Sequence, residues 1–260
     1  MNRSPGTPAR IRKLCVIFVA LTIRLPPSSF AQMKPQKSGQ EGPAIRVPFV
    51  GCESDGQLGP LAAPTESEKV VQIDPGAAQR LAYYKAESTV GVLAPRGWYC
   101  FGTYGSSGSS LFVAPQPIKR DDLFSKNWSL FTGPAIQVDS LSGGTSGRLG
   151  VARVIARVFP TQKAFAQSVI DEGFEPASDF EFGPYPKDTL IYKSDRVVEY
   201  RTPPHSEGLG TISRMQKNND SIDGVAILQG ETPDLLFLKV RLPADMKSLE
   251  SYIIQQIERE

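Results

Sequence analysis

Cys52 and Cys100 set the first limit on the architecture. Each lies in an apolar or aromatic stretch, and no C-x-x-C pattern is present. A bridge between them closes a loop of about 49 residues and stabilises the fold by about 4 kcal/mol on the chain-entropy argument. Against a net stability of roughly 5–15 kcal/mol, that is a large share. Disulfides persist in oxidising compartments, so the pairing depends on where the chain is sent. Two free buried thiols are the alternative.

The first 31 residues supply an address. Arg3, Arg10, Arg12 and Lys13 form a positive start without an acidic residue. Leu14 to Ile23 is an apolar run, and Ser29 and Ala31 flank Phe30 ahead of the expected cut. This is the three-part pattern of an export signal. The run rises about 15 Å as a helix, half of a bilayer core of about 30 Å, so an uncleaved anchor is the weaker alternative. Residues 1–31 are therefore read as a signal peptide and 32–44 as a flexible lead-in. Residues 45–260 are read as a single α+β domain, with two lobes, about 45–118 and 135–260, as the other division.

Cleavage changes the charge balance. The chain has 29 basic and 27 acidic residues, a formal charge of +2. Five of the basic residues lie in the leader, which leaves 24 against 27, or −3. That balance argues against a nucleic-acid partner. No later stretch approaches the roughly 18 consecutive apolar residues of a membrane helix, so the mature protein is expected to be soluble, periplasmic or secreted. Cys15 leaves with the leader, and Cys52 and Cys100 remain as an even pair.

Hydrophobic patterning predicts hairpins more than helix crossovers. Structure is expected to begin near Ile45, where IRVPFVGC is apolar, and the loop GQLGPLAAPTESE carries the chain to VVQI (70–73). Asp74-Pro75 starts a helix, a capping carboxylate followed by proline at the first helical position. That helix is expected to reach about Ala86 with Ala78, Leu81 and Ala82 inward. GWYCFGTY (97–104) and Leu111–Ala114 read as paired strands around GSSGSS. Ala135–Leu141 and Arg148–Phe159 read as two more around SGGTSG, although Val151, Val154, Ile155 and Val158 also fit a helical face. Thr161 is expected to cap a helix from Gln162 to Glu172, ending at Gly173. TLIYK with VVEYR, and GVAILQ with LLFLKVRL, read as hairpins. A last helix near Asp245 carries Met246, Leu249, Ile253 and Ile257. The fold class that results is α+β, a mainly antiparallel sheet built from hairpins, with about three helices and one disulfide.

The chemistry is sparse. His205 is the single histidine, which removes paired-histidine zinc motifs, and two cysteines cannot build a Cys-rich zinc site. No cofactor or metal is expected. A serine hydrolase would need His205 as its base with Ser106, Ser107, Ser109, Ser110 or Ser146 as nucleophile, and none of these stands in G-x-S-x-G. The Gly/Ser runs lack the Lys-Ser/Thr of a phosphate loop and read as turns. Asp171 with Glu172, and Asp179 with Glu181, are carboxylate pairs that a glycosidase could use, or solvated loop charges.

One segment stands apart. Trp98, Tyr99, Phe101 and Tyr104 surround Cys100, with Arg96 before them and Ser106 and Ser107 after. Strand alternation puts Trp98, Cys100 and Gly102 on one face and Tyr99, Phe101 and Thr103 on the other. The segment is either a core strand packed on the disulfide or a recognition surface formed by Arg96, Trp98, Tyr104, Ser106 and Ser107. VPFVGCESDGQLGP, RGWYCFGTYGSSGSSLFV, EGLGT and GVAILQGETPDLL resemble blocks of an uncharacterised family of exported bacterial proteins, over most of the mature chain. The resemblance implies a bacterial envelope setting and brings no functional residue with it. The expected role is a non-enzymatic binding protein for a protein, peptide or glycan. A serine hydrolase using His205 and a secreted inhibitor of hydrolases are the alternatives. The sequence does not fix the oligomeric state.

Overall fold

The computed structural model describes residues 42–124 and 131–260. Residues 1–31, read from the sequence as a signal peptide, and residues 32–41 of the expected lead-in lie outside the described residues. In chain order the elements are β1 (Ala44–Cys52), β2 (Ser54–Gly56), β3 (Glu68–Gln72), α1 (Pro75–Arg80), β4 (Leu81–Ala86) and β5 (Val92–Pro95). Next come β6 (Tyr99–Gly105), β7 (Gly108–Ala114), α2 (Arg120–Phe124), β8 (Ala135–Leu141), α3 (Arg148–Val158) and α4 (Lys163–Asp171). The chain ends with β9 (Thr189–Tyr192), β10 (Val197–Thr202), β11 (Ile222–Gln229), β12 (Asp234–Arg241) and α5 (Glu250–Ile257).

The strands form two sheets. The smaller has the order β3-β1-β4-β5 and the larger β2-β6-β7-β8-β12-β11-β10-β9. Pairing is antiparallel except between β1 and β4 and between β2 and β6. The fold is α+β, and its sheets are mostly antiparallel, as the hairpin pattern predicted.

Alternation along the strands divides the core. One face of the larger sheet turns Leu111, Val113, Ile136, Val138, Leu236 and Leu238 towards the small sheet and α5. The opposite face turns Val198, Tyr200, Ala226, Leu228, Leu235 and Phe237 under α3 and α4. The disulfide joins Cys52 of β1 to Cys100 of β6, with the two Cα atoms 5.4 Å apart. Those strands belong to different sheets, so the bridge ties the two sheets together.

Four local expectations are corrected. The helix begun at Asp74 is capped as expected, with Asp74 Oδ1 accepting the Gly76 N–H at 2.8 Å and the Ala77 N–H at 3.2 Å. It stops at Arg80 instead of Ala86, and Leu81–Ala86 is the strand β4. Pairing with β1 on one side and β5 on the other outweighs local helix preference, and the bulky Tyr83 and Tyr84 suit a strand. Arg148–Val158 is the helix α3 rather than a strand, with Val151, Ala152, Val154, Ile155, Ala156 and Val158 buried. Its apolar positions follow the 3.6-residue period, which prevails over their branched side chains. Thr161 is not a cap; it lies in a 3-10 turn at Pro160–Gln162, and its hydroxyl donates to Asp195 O at 3.5 Å. The Ser-rich loop is shorter than expected as well, because β7 begins at Gly108.

The face under α3 and α4 also buries charge. Lys239 is fully buried on β12 and its ammonium donates to Asp139 Oδ2 of β8. Asp139 further accepts from Ser110 Oγ at 2.5 Å and from Gln137 Nε2 at 2.9 Å. Burial pushes the Lys239 ammonium down from its ordinary range, and the Asp139 carboxylate opposes that.

Three carboxyls are pushed up from their usual range. Burial is the larger cause for each of Asp188, Glu250 and Glu258, and the Glu199 carboxyl beside Glu258 adds to it. An acid with a raised pKa in the folded state stabilises below its unfolded value, and that contribution is lost as pH climbs through the folded value. Unfolding free energy is therefore expected to fall as pH rises above the ordinary glutamate value of 4.5. Glu258→Gln is expected to flatten part of this slope in denaturant titrations across the range. An unchanged slope would remove Glu258 as a contributor.

Candidate functional site

The register of three neighbouring strands builds the site. Tyr104 of β6 lies opposite Ser109 of β7, and Ser109 lies opposite Ser140 of β8. Side chains at paired positions share a face. These three therefore form a row on the face that carries Leu111 and Val138 farther along. Ser88, from the turn between β4 and β5, meets the row from the small sheet, and Ser142 and Asp234 close its end. Together they line a groove of about 330 Å³.

The groove is held by its loops. Ser106 and Ser107 are the two-residue turn between Gly105 and Gly108, which face each other across the ladder. Gly108 has φ of 131°, and a Cβ there would sit 2.0 Å from Ser140 O, so glycine is required at this position. The second Gly/Ser run packs on the first. Ser142 N donates to Ser107 O at 3.2 Å, and the Ser106 and Ser146 hydroxyls lie 3.1 Å apart. Asp234 Oδ1 accepts the Gly143 N–H at 2.8 Å. Tyr104 Oη donates to Gly59 O at 2.5 Å, which fixes the ring. By contrast, the Ser88 hydroxyl is shielded from solvent and has no hydrogen-bond partner among the described residues.

The structure divides the residues expected to form a recognition surface. Tyr104 lines the groove, and Ser106 and Ser107 make the turn between two of its lining glycines. Arg96 and Trp98 lie at the other end of β6, about 20 Å from Tyr104 at strand rise. Arg96 is committed to the junction of α1 and β4, donating to Leu81 O at 3.0 Å and Ala78 O at 2.7 Å. Trp98 packs on the core cluster together with Cys100, and its backbone N–H donates to Tyr84 Oη at 3.1 Å.

His205 is exposed in a left-handed turn with φ of 57°, and its backbone N–H donates to Asn218 O at 2.9 Å. Among the described residues no hydrogen bond joins its imidazole to a serine. Of the carboxylates noted for glycosidase chemistry, Asp171 accepts from Gln167 Nε2 at 2.9 Å, and the other three lie along the arginines of α3. Glu172 pairs with Arg148 at 2.6 Å, Asp179 with Arg153 at 3.8 Å, and Glu181 with Arg157. Among the described residues no group of three or more His, Cys, Asp or Glu is placed to hold a metal.

Ser88, Ser140, Ser142 and Asp234 were not singled out from sequence. They come from separate turns and strand ends and share no local motif. The signal that points to them is the register, which needs the strand pairing first. A second groove, of about 410 Å³, is lined by Lys193, Glu199, Arg201, Asp223, Lys247 and Glu250 among others. Its charges satisfy one another: Lys193 pairs with Glu199 at 2.8 Å, Arg201 with Asp223 at 2.6 Å, and Lys247 with Glu250 at 2.9 Å. The hydroxyl-lined groove is smaller but keeps an unpartnered polar group. No family model, curated protein or solved structure matches the chain, so the site is read from its own geometry.

Proposed function

We propose that this is an exported, non-enzymatic binding protein whose ligand is a glycan held in the groove of Tyr104, Ser88, Ser109, Ser140, Ser142 and Asp234. The observation that carries the reading is the row of hydroxyls along one groove, Tyr104, Ser109 and Ser140 in register, with Ser142 and Ser88 lining it beside them. The volume lies at the small end of the range for ligand pockets, about 300–1,000 Å³. Serine hydroxyls both donate and accept, Asp234 adds a carboxylate, and Tyr104 adds a ring in a fixed position. That mixture suits a polyhydroxylated ligand. Leu58, 89% exposed on the turn that holds Tyr104, adds an apolar tip nearby.

Export is supported by the leader and by the bridge between Cys52 and Cys100, a bond that belongs to oxidising compartments. Among the described residues no helix is long and apolar enough to cross a membrane. A periplasmic or secreted location in a bacterium completes the proposal.

Immobilised oligosaccharides, spanning hexose and N-acetylhexosamine chains, test it. The unsubstituted protein is expected to be retained by at least one, and Ser140→Phe, which fills the groove, to weaken retention by about tenfold or more. Ser140→Phe should melt close to the unsubstituted protein, because position 140 is only partly buried. No retention on any glycan, or equal retention by the variant, would contradict the reading.

A further inference from the structure

Unpaired strand edges invite association, and proteins close them with charge, short strands or a covering side chain. Three of the four sheet edges in this fold carry such a device. At β5, Gln256 of α5 accepts the Leu93 N–H at 2.9 Å and donates to Gly91 O at 3.4 Å. At β3, Glu68 and Lys69 put charge on the edge, Glu68 pairs with Arg46 at 3.1 Å, and Arg259 donates to Gln72 O at 2.7 Å. At β2, the strand is three residues long, and Ser54 exchanges backbone hydrogen bonds with Leu61 at 2.8 and 3.2 Å.

The fourth edge, β9, is also short at four residues, but among the described residues it has neither charge within the strand nor a covering side chain. Its residues Thr189, Leu190, Ile191 and Tyr192 carry no charge, and Ile191 and Tyr192 are 53% and 52% exposed. Lys193 N donates to Val197 O, and the same register sets Ile191 against Glu199 and Thr189 against Arg201. Peptide groups alternate in an antiparallel pair, so Thr189 and Ile191 turn theirs to β10 while Leu190 and Tyr192 turn theirs outward. Among the described residues no backbone group meets those outward N–H and C=O groups.

We propose that β9 pairs with β9 of a second copy of this chain, joining two eight-stranded sheets across a two-fold axis. The strand is complementary to itself. An axis through Ile191 sets Ile191 against its own copy, Leu190 against the partner's Tyr192, and Thr189 against the partner's Lys193. That register keeps every residue on its own face of the joined sheet. It also lets each Leu190 exchange both backbone bonds with the partner's Tyr192, which satisfies the outward groups. Apolar side chains then meet across the new pair, and no like charges stand opposite one another. Moving the axis to Leu190 would draw Asp188 into the ladder, yet its backbone N–H already donates to Tyr185 O at 3.2 Å. A second copy thus fits the edge without rearrangement, and an isologous contact of this kind closes as a dimer.

Sedimentation velocity over a rising concentration series tests the pairing. The unsubstituted protein is expected to shift from monomer to dimer. Ile191→Lys, which places two ammonium groups opposite each other, is expected to stay monomeric with an unchanged melting temperature. Ile191→Cys supplies a positive readout: the two Cα atoms of such a pair lie about 4.5 Å apart, within disulfide reach. Under oxidant it is expected to give a covalent dimer in higher yield than Leu58→Cys, although Leu58 is the more exposed position. A monomer at every concentration, an Ile191→Lys dimer, equal yields from the two cysteine variants, or capture of an unrelated extended peptide by a monomer would each overturn the proposal.

Discussion

Replacing Cys52 and Cys100 together by alanine is expected to lower unfolding free energy by about 4 kcal/mol. For a domain of this size the melting temperature should fall by about 10 °C. The size follows from where the bridge sits. Cys52 ends β1 of the small sheet and Cys100 lies in β6 of the large one, so the bond closes a long loop and spans the sheet interface. The chain also crosses between the sheets here through Glu53, whose carbonyl accepts the Gly102 N–H at 2.8 Å, so the short β2–β6 pairing keeps part of the contact when the bond is removed. Denaturant titration of the double variant measures the loss. A change below about 1 kcal/mol would mean that apolar packing alone fixes the two sheets.

The second large effect is expected at the buried ion pair. Asp139→Ala leaves the Lys239 ammonium in the core without its counter-charge and strands the Ser110 and Gln137 donors. Removing one member of such a pair costs about 3–5 kcal/mol. Replacing both partners by apolar residues of similar size removes the stranded charge. Asp139→Leu with Lys239→Met is therefore expected to be more stable than Asp139→Ala alone. A double-mutant cycle by chemical denaturation reads the coupling. Strict additivity of the two single changes would show that the carboxylate and the ammonium do not support one another.

Some of this was legible in the residues and some was not, for physical reasons. The cap at Asp74, the hairpins at β9–β10 and β11–β12, and the inward row Leu249, Ile253 and Ile257 all follow from patterns a few residues long. The error at Leu81–Ala86 arose because the neighbours that make it a strand, β1 and β5, are set by pairing outside the local window. At Arg148–Val158 two periods competed, and branched residues favoured the wrong one. Lys239 inside LLFLKVRL was a readable sign of a buried charge, since alternation puts it on the face with Phe237. The groove was the least legible. Tyr104, Ser109 and Ser140 meet through two strand registers, and Ser88 arrives from the other sheet. The aromatic residues around Cys100 form one unit in sequence, but Trp98 precedes β6 and Tyr104 stands near the far end of that strand.

Ligand is proposed to enter at the Tyr104 end of β6. Titrating the glycan captured from the immobilised panel into isotopically labelled protein, and following backbone amide shifts, tests it most directly. The perturbed amides are expected to gather at Tyr104–Ser109, at Ser140–Ser142 and at Ser88 and Asp234. Shifts centred on Arg96 and Trp98, or on the charged groove at Arg201 and Lys247, would contradict it.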